Sequence, residues 1–459
     1  MQEYDLLIRD GQAVLPSGIE RTDIAVKDGV IVEMGQKLTG RAKEELEAAG
    51  DYIFPGMIDV HVHFSEPGRE HWEGFETGSQ MMAAGGCTTY FDMPLNGIPS
   101  TVTLEALKEK AGIGEQKSLI DFGLWGGLVP GHIEDLPAMA EAGVVGFKAF
   151  MSATGNEEFE RADDKTLLEG MKVIASLGKI LALHAESEPI TSFLLNERIK
   201  EGTGSADDYA ASRPVEAESE AVERALYYAK LTGCPLHFVH ISSSLALEKI
   251  ETAKKAGVDV TVETCPHYLL FNQETLREKG AAAKCAPPLR EKQEQDRLIQ
   301  LLKAGKFDMI SSDHSPCPYH LKDPAVHGLF EAWGGISGGQ FSLLSMIELA
   351  LEHELPFTAI AEWTAGGPAE RFRLPGRGEI KVGHAADFAI VTLNKRHIVT
   401  EENFFAKHKQ SVYIGHEFPC SIEAVMNRGS LIYRQGKFLN DNVKGGWLTP
   451  EKAEEKIVG

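Results

Sequence analysis

An α/β protein is predicted: a (β/α)8 TIM-like barrel with a small β-sandwich domain formed by the N- and C-terminal segments. Three observations predict it. Strand–helix units recur through the middle of the chain, short strands separated by turns occupy both ends, and chemically capable side chains fall at the ends of the recurring strands. Such repeats imply a parallel sheet covered on both faces. About eight of them over roughly 320 residues suit a barrel with insertions better than a doubly wound sheet.

The first segment, residues 1–51, reads as short strands over 4–9, 22–26 and 29–34, with turns such as Lys27-Asp28-Gly29 between them. Barrel strands are expected over 52–60, 86–92, 118–124, 144–150, 179–184, 235–240, 258–263 and 307–312. Helices with acidic and basic faces separate most of them, for example 103–110 and 216–231. The barrel is therefore assigned to 52–377. The last segment, 378–459, returns to strands at 387–392, 422–428 and 430–434. Each terminal segment is too small for a core of its own, so the two are expected to fold together.

Composition narrows the class. The 459 residues are 43% apolar, enough for a large core. There are 46 Lys and Arg against 68 Asp and Glu, a formal charge of -22. An acidic surface repels phosphate backbones and anionic membranes, which disfavours nucleic-acid and membrane partners. No apolar run approaches the roughly 20 residues of a membrane span, and the first residues lack a basic, apolar leader pattern. The six cysteines show no paired spacing and read as free thiols in a reducing compartment, so a cytoplasmic protein is expected.

The chemistry sits where a barrel puts it, at the C-terminal ends of strands. Asp59-Val60-His61-Val62-His63 ends the first strand, and residues two apart on a strand face one side. His184 closes the fifth strand and His240 the sixth, while His237, three positions earlier, is expected to face away or sit lower as a structural residue. Asp313 closes the eighth, where it could equally cap a helix. Lys148 lies inside the apolar run Val144-Val145-Gly146-Phe147-Lys148-Ala149-Phe150. A buried ammonium is costly and becomes neutral, and a neutral amine can take up carbon dioxide as a carbamate with two oxygens. Each residue alone has an ordinary structural explanation. Together they suggest a binuclear centre: His61, His63 and Asp313 on one cation, His184 and His240 on the other, and carboxylated Lys148 bridging. Such a donor set suits zinc, with cobalt, manganese or iron as substitutes.

With these residues in place, the chain resembles the cyclic amidohydrolases of the amidohydrolase superfamily nearly end to end, and within them the allantoinases. Pro55-Gly56-Met57-Ile58-Asp59-Val60-His61-Val62-His63 is similar to the family's opening motif. Smaller signals point to the sub-family: Ser65-Glu66-Pro67-Gly68-Arg69, His71-Trp72-Glu73-Gly74, Met93-Pro94-Leu95-Asn96, Lys284-Cys285-Ala286-Pro287-Pro288, Ser312-Asp313-His314-Ser315-Pro316-Cys317 and Ala332-Trp333-Gly334-Gly335-Ile336. The departures also inform. Dihydroorotases place an arginine where this chain has Ser65, and tend to place a histidine where it has Cys317. A site without that clamp is poorly suited to an anionic ring. Hydantoinases and dihydropyrimidinases place a tyrosine where this chain has Ala153.

The resemblance carries the metal roles onto His61, His63, Lys148, His184, His240 and Asp313. It implies hydrolysis of the cyclic amide of allantoin to allantoate by a hydroxide shared between two cations, with Asp313 as base and then acid. Cys317 is expected to line the site and not to act as a nucleophile. Backbone at Ala286 and Gly335 and the amide of Asn96 are the candidate substrate contacts, although Asn96 before Gly97 also reads as a turn residue. By analogy the family implies a homotetramer. A hydantoinase, a dihydropyrimidinase or a dihydroorotase-like enzyme is the related alternative. A non-catalytic scaffold related to dihydropyrimidinase is the alternative of another class. No Gly-rich fingerprint sits between a first strand and helix, which argues against a nucleotide-binding dehydrogenase.

Overall fold

The computed structural model describes residues 3–439 and 443–450, so residues 440–442 and 451–459 of the expected C-terminal segment lie outside the described part. The N-terminal segment forms β1 (Glu3–Leu15), β2 (Gly18–Lys27), β3 (Val30–Gly35), β4 (Arg41–Glu47) and β5 (Tyr52–Pro55). The barrel strands are β6 (Met57–Val62), β7 (Cys87–Asp92), β8 (Asp121–Leu124), β9 (Gly126–Gly127), β10 (Phe147–Phe150), β11 (Leu181–His184), β12 (Leu236–Phe238), β13 (Val260–Thr264) and β14 (Met309–Ile310). After the barrel come β15 (Phe388–Thr392), β16 (His397–Ile398), β17 (Glu417–Phe418), β18 (Ser421–Asn427), β19 (Ser430–Arg434) and β20 (Lys437–Phe438).

The barrel strands are parallel throughout. β8 and β9 are one stave broken at Trp125, a fully buried side chain whose indole donates to Val60 O at 2.9 Å. The Val145 amide donates to Leu124 O at 3.0 Å and the Gly126 amide to Gly146 O at 3.0 Å, which joins the third stave to the fourth. The eighth stave meets the first through the Val62–His314 bridge and the His63 amide, which donates to His314 O at 2.8 Å. The buried Asp59 carboxylate also accepts from the Ser312 amide across this seam. These contacts close the barrel and leave no edge.

The helices that cover it start where the sequence offers caps. Thr103 accepts from the Ala106 amide ahead of the helix Leu104–Lys117, and Ser243 accepts from the Ala246 amide ahead of Ser244–Lys255. The helix expected over 216–231 is Val215–Thr232. Among the described residues no helix is long and apolar enough to cross a membrane.

The terminal segments share one nine-stranded sheet, in the order β20-β19-β18-β15-β5-β1-β2-β3 with β4 beside β1. β1 shifts register between Ile8 and Gly11, where a bulge bends it. Side chains from both ends of the chain, including Ile8, Ile24, Ile53, Phe388 and Met426, make one apolar cluster. β5 is the hinge of this arrangement: it pairs with β1 on one side and β15 on the other. That corrects one expectation. The stretch 52–60 is two strands in two sheets, and the division expected after residue 51 falls at Gly56. The backbone there packs so closely on β7 that a Cβ on Gly56 would lie 2.2 Å from Thr88 Oγ1. Arg377 then ties the two sheets, pairing with Asp121 and Asp387 at 2.6 Å each.

Candidate active site

The site opens from a cavity of about 350 Å³ at the C-terminal ends of the barrel strands. His61, His63, His184, His240 and Asp313 all line it, and all are buried. His61 Nε2 and His63 Nε2 lie 3.2 and 3.3 Å from Asp313 Oδ1. Donor atoms of these three residues lie within 4.8 Å of one another, a spacing that could hold a cation. Opposite them His184 Nδ1 faces His240 Nε2 at 3.0 Å. The rings of His61 and His240 have centroids 5.4 Å apart, so the two groups adjoin.

Lys148 comes in on β10. Its Nζ is buried with no hydrogen-bond partner and sits 4.9 Å from the centre of the Phe150 ring. Burial pulls its pKa down to about 7, although Glu263 and Asp313 oppose the shift. A neutral amine walled in by imidazoles and a carboxylate is a costly arrangement with no structural return. The two facing histidines and the triad around Asp313, with the orphaned amine beside them, form a donor set that fits divalent cations.

Two of the metal-ligand candidates reach the site through unusual backbone. His240 and Asp313 have φ of 40° and 47°, in the left-handed region. His240 lies two residues beyond β12 and Asp313 three beyond β14, so the turn re-aims each side chain toward the cavity. This is why the strands expected over 235–240 and 307–312 end early, at Phe238 and Ile310.

The supporting residues were the least legible. Glu263, at the end of β13, lies 2.7 Å from His61 Nδ1 through Oε1 and 3.0 Å from His237 Nε2 through Oε2. Burial raises its pKa, and His61 and His237 more than reverse that, leaving a carboxylate held far below the usual range. In the sequence Glu263 reads only as a strand boundary. Its signal was a carboxylate ending an apolar barrel strand, the same signal that marked Asp313. His237 is the buried structural residue expected of it, 2.9 Å from Thr261 Oγ1 on its other side. Glu186 Oε2 lies 2.8 Å from His184 Nε2 and also accepts from the Arg213 guanidinium. Burial raises Glu186, but Arg213 and His184 outweigh it and bring the carboxyl to about 2. Asp313 shows the same balance: burial raises it, and His61 and His63 hold it below the usual range. Burial also lowers His61, His184 and His240, which favours the neutral, metal-binding imidazole.

Of the expected substrate contacts, Asn96 and Ala286 line the cavity. Asn96 has φ 72°, its Nδ2 lies 3.4 Å from His63 Nδ1, and its Oδ1 is buried without a partner. Gly335 does not line it; its neighbour Gly334 does. The Gly335 amide donates to Lys284 O at 2.9 Å and its carbonyl accepts from the buried Lys322 ammonium. Both peptide groups of Gly335 are thus committed inside the protein. Its glycine identity serves packing, because a Cβ would meet Ser315 O at 2.4 Å. Cys317 is another correction: it is buried outside the cavity wall, and burial pushes its thiol up to about 11. Ala153, at the place of the hydantoinase tyrosine, lines the cavity while its amide donates to Glu188 Oε2 at 2.6 Å.

Known proteins are similar to this chain over nearly its whole length. The amidohydrolase family model matches residues 52–432. An allantoinase from Bacillus velezensis is 54% identical over 99% of this chain and 100% of its own length. One from Deinococcus radiodurans is 46% identical over 95% of this chain and 96% of its own. Among solved structures, the L-hydantoinase (dihydropyrimidinase) from Arthrobacter aurescens superposes with a TM-score of 0.94 at 32% identity, covering 97% of this chain and 100% of that one. With its barrel, its terminal sheet and its site of histidines, lysine and aspartate, the chain belongs to the amidohydrolase family and, within it, to the allantoinases.

Proposed function

We propose that this protein hydrolyses the cyclic amide bond of allantoin to give allantoate, with His61, His63 and Asp313 holding one divalent cation, His184 and His240 a second, and carboxylated Lys148 between them. The observation that carries the reading is the buried, unpartnered Nζ of Lys148, which interacts electrostatically with the cavity-lining His61, His184, His240 and Asp313. The allantoinase relatives supply the substrate. Two bound cations, zinc with cobalt, manganese or iron as substitutes, supply a water of lowered pKa and polarise the ring carbonyl.

The chain's own residues do the rest. Asp313 takes the proton of the attacking water and returns it to the departing ring nitrogen, and its low proton affinity suits a base that must give the proton up again. Glu263 and Glu186 hold His61 and His184 in one orientation. Asn96 offers an amide, and Ala286 and Gly334 offer backbone, to a ring of alternating donors and acceptors. Trp333, held edge to face by Trp72 at 4.7 Å, gives the cavity an apolar wall.

The protein is proposed to work as a homotetramer in the cytoplasm. Six free, buried cysteines support a reducing compartment, and family analogy supports the assembly. A hydantoinase is the second reading, favoured by the fit to the L-hydantoinase structure. One assay separates the two. The purified protein is loaded with zinc, cobalt or manganese in bicarbonate buffer and given allantoin, hydantoin, dihydrouracil and dihydroorotate. Fast opening of allantoin alone supports the proposal; preference for hydantoin or dihydrouracil keeps the metal chemistry and replaces the substrate. No turnover of any ring with two metals bound moves the substrate outside the cyclic ureides.

A further inference from the structure

Besides the histidines and Asp313, a guanidinium and a carboxylate line the cavity, those of Arg213 and Glu188. Arg213 lies in the loop between the helices Ala206–Ala211 and Val215–Thr232, and its carbonyl accepts from the buried Arg290 guanidinium. Its Nη1 donates to Glu186 Oε2, which also meets His184. That contact uses one nitrogen of a planar, donor-only group. Nε and Nη2 have no hydrogen-bond partner among the described residues, and the side chain is 20% exposed. Supporting Glu186 needs only a point charge, which a lysine would supply, whereas the guanidinium keeps a fork of donors for something else.

Glu188 opens the helix Glu188–Glu201. Its Oε2 accepts from the Ala153 amide at 2.6 Å and its Oε1 from the Ser192 hydroxyl, so each oxygen keeps a lone pair. It makes no ion pair among the described residues, and the ion pair of Arg213 is with Glu186. The Glu188 charge nevertheless reaches Arg213: burial lowers the guanidinium pKa, and Glu186, Tyr209 and Glu188 together raise it above its usual value. Opposite charges thus line one cavity without meeting. Ala153, which Glu188 holds, lines the cavity too and brings only a methyl group to the wall.

We infer that Arg213 and Glu188 together bind the ureido substituent of the substrate, Arg213 donating to its carbonyl oxygen and Glu188 accepting from its N–H groups. A ureido group is planar, with an acceptor on one edge and donors on the opposite edge. A guanidinium matches the first and a carboxylate the second. Other substituents leave one of the pair unanswered. An anionic group would suit Arg213 and be repelled by Glu188, a cationic group the reverse, and an alkyl group would desolvate both without a hydrogen bond. A neutral group that accepts on one side and donates on the other satisfies both. The inference rests on the allantoin reading above and names the side chains that separate allantoin from unsubstituted hydantoin. Arg213 then has two duties, holding Glu186 with Nη1 and the substrate with its remaining donors.

Steady-state kinetics of the full-length, metal-loaded protein on allantoin and on hydantoin test this, with metal content measured alongside. Arg213→Lys keeps a positive charge for Glu186 and loses the fork. Glu188→Gln keeps the size and exchanges an acceptor for a donor. Each variant should lower kcat/KM for allantoin by about 10- to 100-fold, the scale of a lost charge-assisted hydrogen bond, mainly through KM. The ratio of allantoin to hydantoin kcat/KM should fall by at least about tenfold while the metal is retained. Where hydantoin is bound without turnover, its inhibition constant against allantoin opening takes the place of its kcat/KM and should rise less than the allantoin KM. Equal losses on both rings, or loss of metal in step with activity, would reduce the two residues to supports of Glu186 and Ala153 and overturn the inference. An allantoin preference that is the same in wild type and both variants also overturns it and leaves the allantoin reading standing. A wild-type enzyme that prefers hydantoin overturns both.

Discussion

Glu263 and His61 are joined at the root of the site, with carboxylate Oε1 2.7 Å from the ring Nδ1. An acceptor there fixes the proton on Nδ1 and leaves Nε2, 3.2 Å from Asp313, free to donate its lone pair. The other oxygen of Glu263 is held by His237, and the His240 amide donates to Oε1 at 3.3 Å. One carboxylate therefore sets the aim of His61 and ties together the strands that carry His61 and His240.

Glu263→Gln keeps the volume and removes the charge. An amide can present its nitrogen to His61 Nδ1 and favour the wrong tautomer. Metal affinity should fall by about 10- to 100-fold, the usual effect of losing a partner behind a ligand. Competition against a chelator of known affinity measures it. Wild-type affinity in the variant would remove Glu263 from this role.

Lys148→Ala removes the orphaned amine. Metal content and turnover should both collapse, and short carboxylic acids such as acetate or propionate should restore part of each by occupying the vacated space. Full activity without added acid would sink the bridging role.

Asp313→Asn leaves a side chain of equal size that cannot take up the proton. Turnover should fall by at least about a hundredfold, within the range expected when a general base is lost, while His61 and His63 retain part of the metal. Metal analysis alongside single-turnover rates separates the two effects, and near-normal turnover would remove Asp313 as the proton carrier.

The strand–helix alternation made the barrel readable, and the strand-end residues made its chemistry readable, because both depend on local pattern. What pattern could not show is convergence. Glu263 lies 202 positions from His61, and Arg213 lies 27 from Glu186, yet each pair is in contact. His240 and Asp313 reach the cavity by positive φ, which side-chain alternation along a strand cannot foresee. Gly334 and Gly335 are indistinguishable in composition. Only the folded loop shows that one lines the cavity while the other is bound on both sides by protein. The split of 52–60 at Gly56 escaped for a related reason, since both halves are apolar and extended but belong to different sheets.

Lys322 gives a pH prediction. It is buried, donates to Ala281 O at 2.8 Å and also to Gly335 O. Burial pulls its pKa from 10.5 to about 8, with only weak opposition from Cys317 and Cys285. Between these values the unfolded chain holds the proton and the folded chain has released it, so stability rises with pH across that window. Below about 8 both states are protonated and the cost of burying the ammonium is fully present. Lys322→Met should reduce the rise in melting temperature from pH 8 to 10.5, by the share of about one proton. An identical slope in both proteins would mean that Lys322 does not titrate in this range.

The same loop yields the sharpest steric test. Gly335 has no room for a side chain, since a Cβ would lie 2.4 Å from Ser315 O and 2.7 Å from Ser315 Cβ. Ser315 lines the cavity two residues after Asp313, and its amide donates to Ile336 O at 3.0 Å. The alanine of Gly335→Ala must therefore push the 315 and 335 strands of the loop apart, moving the cavity wall while the barrel stays folded. Displacements of that size near reacting groups cost on the order of a hundredfold in rate. The variant should keep its metal and its melting temperature to within a few degrees, and lose kcat/KM. Gly334→Ala is the control, because its nearest neighbour would be Lys284 Cε at 3.8 Å. Packing at Gly335 predicts a much smaller loss there; an equal or greater loss would mean that close approach of substrate to the Gly334 backbone, and not the fit of Gly335 against Ser315, sets the shape of the site.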